Sequence, residues 1–175
     1  AKPLDIYFID TEGGAATLIV TPAGESVLVD PGYPGDRDPP RIARVARETA
    51  GLEKIDHFIS THWHSDHVGG LLRLVELIPV RRFYDRGLPE KIAEDMIAAE
   101  IEGYRRISAG KSVALKPGDK LQLESKGFAT PLEIKILASS GIVLGEKPGD
   151  PQVRPCDKGH PSRPEDTSDN ARSVA

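Results

Sequence analysis

The residues best equipped for chemistry are gathered in one short stretch. "STHWHSDHVGG", Ser60 to Gly70, places His62, His64, Asp66 and His67 within six residues, and three of the five histidines of the 175-residue chain lie there. Neutral imidazoles with a carboxylate are a ligand set for zinc, and also for iron or manganese. His62 and His64 stand two apart at the end of a strand, so they point to one side and Trp63 to the other. Asp66 and His67 follow once the chain has turned and approach the same volume from a second direction. Two histidines on one side and an Asp-His pair on the other suit two metals sharing a bridging water. Such a site brings the water's pKa toward neutrality and polarises the bond under attack. A solvated, histidine-rich loop is the blander account; four ligand-type residues at this spacing favour the metal site. Gly69 and Gly70 are expected to let the backbone bend tightly and to keep the following helix free of bulk.

The elements that must position this loop are written around it. "LDIYFID" (Leu4 to Asp10), "AATLIVT" and "SVLVD" ending at Asp30 read as strands joined by turns, an antiparallel opening to a sheet. A helix is expected from Asp38 as N-cap, with Pro39 and Pro40 in its first turn, Ile42, Val45 and Ala46 on one face, and Gly51 ending it. "KIDHFIS" is a strand that runs straight into the histidine loop. Val68, Leu71, Leu72, Val75 and Ile78 then follow helical spacing up to Pro79. "VRRFYD" reads as a strand. Pro89 to Ile107 reads as a longer helix with Ile92, Met96, Ile97, Ile101 and Tyr104 inward. "SVALKPGDKLQLE" has hairpin character around Pro117-Gly118-Asp119, and Leu132 to Ser139 is a further strand.

From Gly145 to Asn170 the texture changes. Pro148, Pro151, Pro155, Pro161 and Pro164 punctuate a polar stretch without periodicity, which reads as a long loop or a disordered segment. The division is therefore residues 1–144 as one domain and residues 145–175 as a Pro-rich connection. "NARSVA" reads as the first turn of a further element.

Composition bounds the partners. The formal net charge of -4 gives no support for a general nucleic-acid-binding surface. No run of about 18 apolar residues occurs, so no membrane-spanning helix is expected. The single cysteine, Cys156, allows no internal disulfide. The chain begins at Ala1 with no signal peptide, as a processed, exported (periplasmic or secreted) protein would; a trimmed cytoplasmic one looks the same.

At this point the residues resemble a known family. "THWHSDHVGG" looks like the H-x-H-x-D-H signature of the metallo-β-lactamase fold superfamily. "LDIYFIDTEGGAATLIVTPAGESVLVDPG" resembles the opening strands of that fold, with "VLVDPG" at its strand-Asp-Gly element. "KIDHFISTHWHSDHVGGL" is similar in particular to the soluble domain of ComEC-like DNA-uptake competence proteins. The resemblance covers Leu4 to about Asp85 well and runs loosely to about Ser139. It implies an α/β protein of the αββα-sandwich type, with a dinuclear site at the edge between the sheets and mainly the N-terminal half present. His62 and His64 would hold the first metal, and Asp66 and His67 the second, with Asp66 also orienting the attacking hydroxide. Zinc is the implied metal, with manganese or iron as alternatives. Asp30 would receive the second N–H of a ligating histidine; otherwise it is a turn residue before Pro31-Gly32. The family completes its site from a second half, so the remaining ligands are expected beyond Ala175. His160 is the one later histidine.

Three functions follow. The first is a metal-dependent hydrolase acting on an ester, amide or phosphodiester, with a small-molecule or nucleic-acid phosphodiester preferred from the ComEC-like flanks. The second is an iron-dependent oxidoreductase on the same scaffold. The third is an inactive metal-binding half-domain whose open sheet edge and inner face need a partner. Ser108-Ala-Gly-Lys111 with Ser168-Asp169-Asn170 mimics a serine β-lactamase, but no K-T-G follows. Arg81, Arg82, Arg86, Arg105 and Arg106 are read as scattered surface charge rather than phosphate contacts. Cys156 is read as a bystander.

Overall fold

A computed structural model describes residues 2–109, 112–125, 131–145 and 166–175. Strands β1 (Asp5–Phe8), β2 (Thr17–Val20) and β3 (Ser26–Val29) form the expected antiparallel meander. The rest of the main sheet is parallel. β4 (Ile55–Ile59) lies beside β3, β5 (Val80–Asp85) beside β4, and β6 (Ser112–Ala114) beside β5. The six strands follow chain order across the sheet. Parallel crossovers share one hand, so strands added in one direction put all their connecting helices on one face.

Those helices are α1 (Asp38–Arg44), running on into a π turn (Val45–Thr49), then α2 (Ser65–Val68), α3 (Leu71–Leu77) and α4 (Ala98–Ser108). Leu18, Leu28 and Phe58 from the sheet meet Ile42, Leu71, Leu74 and Ile101 from the helices in the larger core. Each such fully buried side chain contributes roughly 1.5–3 kcal/mol. β4 is buried along its whole length, as a central parallel strand covered on both faces must be. The cover on its second face is a small hairpin, β7 (Lys120–Gln122) with β8 (Glu133–Lys135). Leu121 and Ile136 there pack with Val27, Ile59 and Val174. β9 (Ala138–Ser139) and β10 (Ile142–Val143) make a further two-stranded piece.

Several expectations change. The long helix from Pro89 is only α4. Met96 N–H bonds to Ala93 O in a turn, Ile97 is extended, and Ile92 and Ile97 are 43% and 48% exposed rather than inward. The i, i+4 spacing of Ile92 and Met96 is thus accidental, and the segment is held by contacts of Asp95 with the histidine loop. The Pro117-Gly118 turn exists, with Gly118 at φ 95, but its flanks do not pair with each other: β6 joins the main sheet and β7 pairs with β8. Leu132 to Ser139 is split between β8 and β9. Asp38 is the first helical residue rather than the cap; its carboxylate turns back to accept the Tyr33 N–H at 2.9 Å. After the loop, Leu71, Leu74 and Ile78 are the buried face, with Leu72 and Val75 at its margin. Among the described residues no helix is long and apolar enough to cross a membrane.

Candidate metal centre

The histidine loop sits at the carboxyl ends of three neighbouring parallel strands, where open α/β sheets place their ligand sites. Val29 pairs with Ile59 and Ile59 with Tyr84, so Asp30, Ser60–Thr61 and, one residue later, Arg86 leave the sheet side by side. Asp30 adopts φ 57, a left-handed turn that an aspartate tolerates better than most residues. That turn aims a carboxylate which is 1% exposed at the loop. It accepts from the Thr61 N–H at 2.8 Å, the Thr61 hydroxyl at 2.7 Å and His67 Nδ1 at 2.9 Å.

These bonds fix the protons of two imidazoles. A carboxylate only accepts, so His67 carries a proton on Nδ1. The Thr61 hydroxyl spends its hydrogen on Asp30, so its oxygen accepts from His62 Nδ1 at 3.0 Å. His62 Nε2 is then a lone pair, and it is buried without any hydrogen-bond partner. Burial, with His67 and His64 beside it, pushes the His62 pKa down to about 4, so the ring is neutral at neutral pH. Burial lowers the pKa of His67 too, but the Asp30 acceptor outweighs it and the net shift is upward. Burial raises Asp30 against the pull of its donors.

The rings are close-packed. His62 lies 4.0 Å from His67 and 4.8 Å from His64, centroid to centroid. Asp66 Oδ2 stands 3.3 Å from His67 Nε2, and His64 Nε2 stands 2.9 Å from Asp95. The structure therefore brings His62, His64, Asp66, His67 and Asp30 into one cluster. The cluster is closed on itself: among the described residues no three His, Cys, Asp or Glu side chains form a ready-made metal cage. The donor set still fits a transition metal in type, and the orphaned Nε2 of His62 is the atom in want of a partner.

Trp63 faces away, as alternation requires. Its ring is fully buried against Tyr104 at 4.9 Å, and its indole N–H donates to Gly87 O at 3.0 Å. The glycines act by their size. Gly69 and Gly70 have ordinary helical φ values of -62 and -68, so no unusual backbone freedom is used. A Cβ on Gly70 would lie 2.1 Å from Pro31 O, and one on Gly14 would lie 2.4 Å from Asp66 O. Close backbone approach thus seats α2 and Asp66 against the loops after β1 and β3.

Sequence reasoning missed a second layer of support. Asp169, in a 3-10 turn capped by Ser168, accepts the Trp63 N–H at 2.6 Å. It also pairs with Arg86, whose side chain is 7% exposed, so that arginine is not surface charge. Val174 N–H donates to Thr61 O at 2.9 Å. Glu100 accepts from the Ser65 hydroxyl at 2.7 Å, while its other oxygen is buried and unpartnered. Burial, with Asp66 nearby, raises the Glu100 pKa despite that bond. Asp169 was within reach of the sequence as part of Ser168-Asp169-Asn170, but for the wrong chemistry. Ser108 of the same mimic is buried and donates to Tyr104 O, so it is no nucleophile. Lys111, Cys156, His160 and the prolines from Pro148 to Pro164 lie outside the described residues. The remaining histidine, His57, is satisfied in the core by Glu25 and Tyr84.

A mixed sheet with helices on one face and a histidine-aspartate cluster at its carboxyl end defines an α/β protein of metallo-β-lactamase type. A family model for the metallo-beta-lactamase superfamily matches residues 9–130, and the chain belongs to that superfamily. The chain is 27% identical over 124 residues to a UPF0173 metal-dependent hydrolase of Cupriavidus taiwanensis, covering 70% of this chain and 42% of that protein. A second, from Herpetosiphon aurantiacus, is 38% identical over 64 residues, covering 37% of this chain and 24% of that protein. A Coenzyme F420H(2) oxidase of Methanothermobacter marburgensis is 30% identical over 101 residues, covering 57% of this chain and 23% of that protein. Among solved structures the fold matches the metallo-beta-lactamase SMB-1 with TM-score 0.52 at 20% identity, covering 78% of this chain and 51% of that one. The chain thus spans less than half the length of these curated relatives.

Proposed function

We propose that this chain is the metal-binding part of a hydrolase in which His62, His64, Asp66 and His67 hold the metal and Asp30 orients the rings. The observation that carries this is the buried, neutral, unpartnered Nε2 of His62, set against His67 and His64. Zinc is the metal we assign, with manganese or iron as competitors for the same donors. A bound divalent ion supplies Lewis acidity and a water acidified toward neutrality. The chain's own part is to keep His62 neutral by burial, to orient the rings of His62 and His67 through the Asp30 and Thr61 bonds, and to seat Asp66 against Gly14. In this reading Asp66 would be one of the residues holding the metal and would orient the water that the metal acidifies, in place of its present contact with His67.

The substrate class we assign is a phosphodiester. A cleft of about 560 Å3 is lined by Arg86, Gly87, Lys91, Met96 and Arg172, and Gly87 in turn accepts the indole N–H of Trp63 from the loop. Lys91 and Arg172 suit an anionic group, although Glu90 tempers them and Arg86 is already paired with Asp169. Bis-p-nitrophenyl phosphate, a lactam and a thioester, each tested with the zinc-loaded protein, separate the options. Hydrolysis of the phosphodiester alone is the expected result. No turnover of any of them with zinc bound refutes the hydrolase.

The oxidase relative favours one second reading, an iron-dependent oxidoreductase on the same donors. Stoichiometric iron in protein purified without added metal, with oxygen consumption, would select it.

A further inference from the structure

His64 is the one cluster histidine that the Asp30–Thr61 network does not reach. We propose that Asp95, from the segment between β5 and α4, is the positioning residue of His64. This rests on the reading that the loop holds a metal.

The geometry is direct. His64 Nε2 stands 2.9 Å from Asp95 Oδ2, and a carboxylate can only accept, so the ring proton is on Nε2 and the lone pair on Nδ1. His64 is thereby held by Nε2, opposite to His62 and His67, whose supporting bonds are made at Nδ1. One carboxylate governs two rings and a second governs the third. A histidine whose outer nitrogen is held by a carboxylate has one tautomer and one ring orientation, and loss of such a partner costs about 10–100-fold in metal affinity.

Asp95 is itself held. Its Oδ2 also accepts from the Asp169 N–H at 3.4 Å, and Asp169 is locked by Arg86 and the Trp63 N–H. The neighbouring Met96 is 8% exposed and roots the segment in the main core. Trp63 lies between His62 and His64, so the turn that steadies Asp95 also steadies the backbone carrying both rings. The departure from helix over 88–97 has this consequence: a helical segment would commit its residues to one continuous face, whereas the turn at Ala93–Met96 sends Met96 into the core and Asp95 to His64.

The test uses the full chain with Asp95→Ala and Asp95→Asn, read first without metal and then with zinc alone. Ring 15N shifts of His64, assigned with a His64→Gln variant, report its tautomer. In the wild type and in Asp95→Asn, whose amide oxygen still accepts, the proton is expected on Nε2. In Asp95→Ala the ring is expected to become a mixture of tautomers, with zinc affinity about 10–100-fold weaker, and Asn is expected to restore most of it. The Asp95 side chain is 39% exposed, so the Ala variant is expected to fold, and its urea midpoint checks that. An Asp95→Ala protein with the wild-type tautomer, or with wild-type zinc affinity, overturns the proposal. A wild-type chain that binds no zinc removes the metal reading instead, while the tautomer comparison in metal-free protein still decides whether Asp95 positions His64.

Discussion

Replacing Asp30 by alanine or by asparagine separates the fold from the site. Alanine strands three donors at once: the Thr61 N–H, the Thr61 hydroxyl and His67 Nδ1. A buried donor left unpaired costs about 1–3 kcal/mol. The hydroxyl and the ring can turn to other partners and the amide cannot, so about 2–3 kcal/mol is expected from this source. Alanine at φ 57 adds roughly 1–2 kcal/mol of backbone cost, which asparagine largely escapes. The total of about 3–5 kcal/mol corresponds to a fall in Tm of roughly 6–20 °C for a chain of this size. Asparagine is expected to lose far less stability yet to damage the site. Its amide oxygen must face the immobile Thr61 N–H, which turns its NH2 toward the hydroxyl and His67. His67 then has to accept at Nδ1 and carry its proton on Nε2. The Thr61 hydroxyl, now receiving a hydrogen from the amide, donates to His62 Nδ1, and that ring reverses as well. Both inward nitrogens become N–H groups, and zinc affinity is expected to drop by at least about 10–100-fold. Urea denaturation and competition against a chelating dye measure the two effects. An Asp30→Asn protein that binds zinc like the wild type, or an Asp30→Ala protein of wild-type stability, refutes the reasoning.

Other expectations concern the surroundings. Gly70→Ala puts a methyl 2.1 Å from Pro31 O, and a loss of about 1–3 kcal/mol is expected in urea unfolding. Gly14→Ala presses on Asp66 O, so zinc binding should weaken more than stability does, as titration of both quantities will show. Arg86→Met leaves the Asp169 carboxylate buried without its cation, and about 3–5 kcal/mol should be lost, read from the urea midpoint. For pH, the folded-state pKa of His62 is about 4 against 6.5 for the unconstrained ring, so the unfolded chain binds its proton first. Metal-free protein should therefore lose stability as pH falls from 6.5 toward 4, and His62→Asn should remove that part of the slope.

The part of the site made of near neighbours was legible in the amino-acid order. His62, His64, Asp66 and His67 lie on one strand-to-helix loop, where alternation alone sorts Trp63 from the two histidines. Asp30 was legible only through the family resemblance of "VLVDPG", with a simple turn residue as the alternative; the parallel pairing of β3 with β4 that brings it to Thr61 is a contact between distant residues. The rest depends on contacts between distant residues. Asp95 and His64 are 31 residues apart, and Asp169 and Trp63 are 106 apart. Nothing local marks either carboxylate, and Asp95 was hidden inside a spacing that reads as helix. β6 and β7 were misjudged for a related reason. The Pro117-Gly118 turn is a true local signal, but which strands its flanks join is decided by the free edge of β5 and by β8.

Metal content is the decisive quantity. Protein produced without added metal and freed of excess ions should carry a transition metal in stoichiometric amount by elemental analysis, and a folded His62→Ala/His67→Ala double variant should carry none. Wild-type protein that comes out empty and takes up no zinc, manganese or iron on titration, or a double variant with unchanged metal content, would contradict the assignment of these histidines.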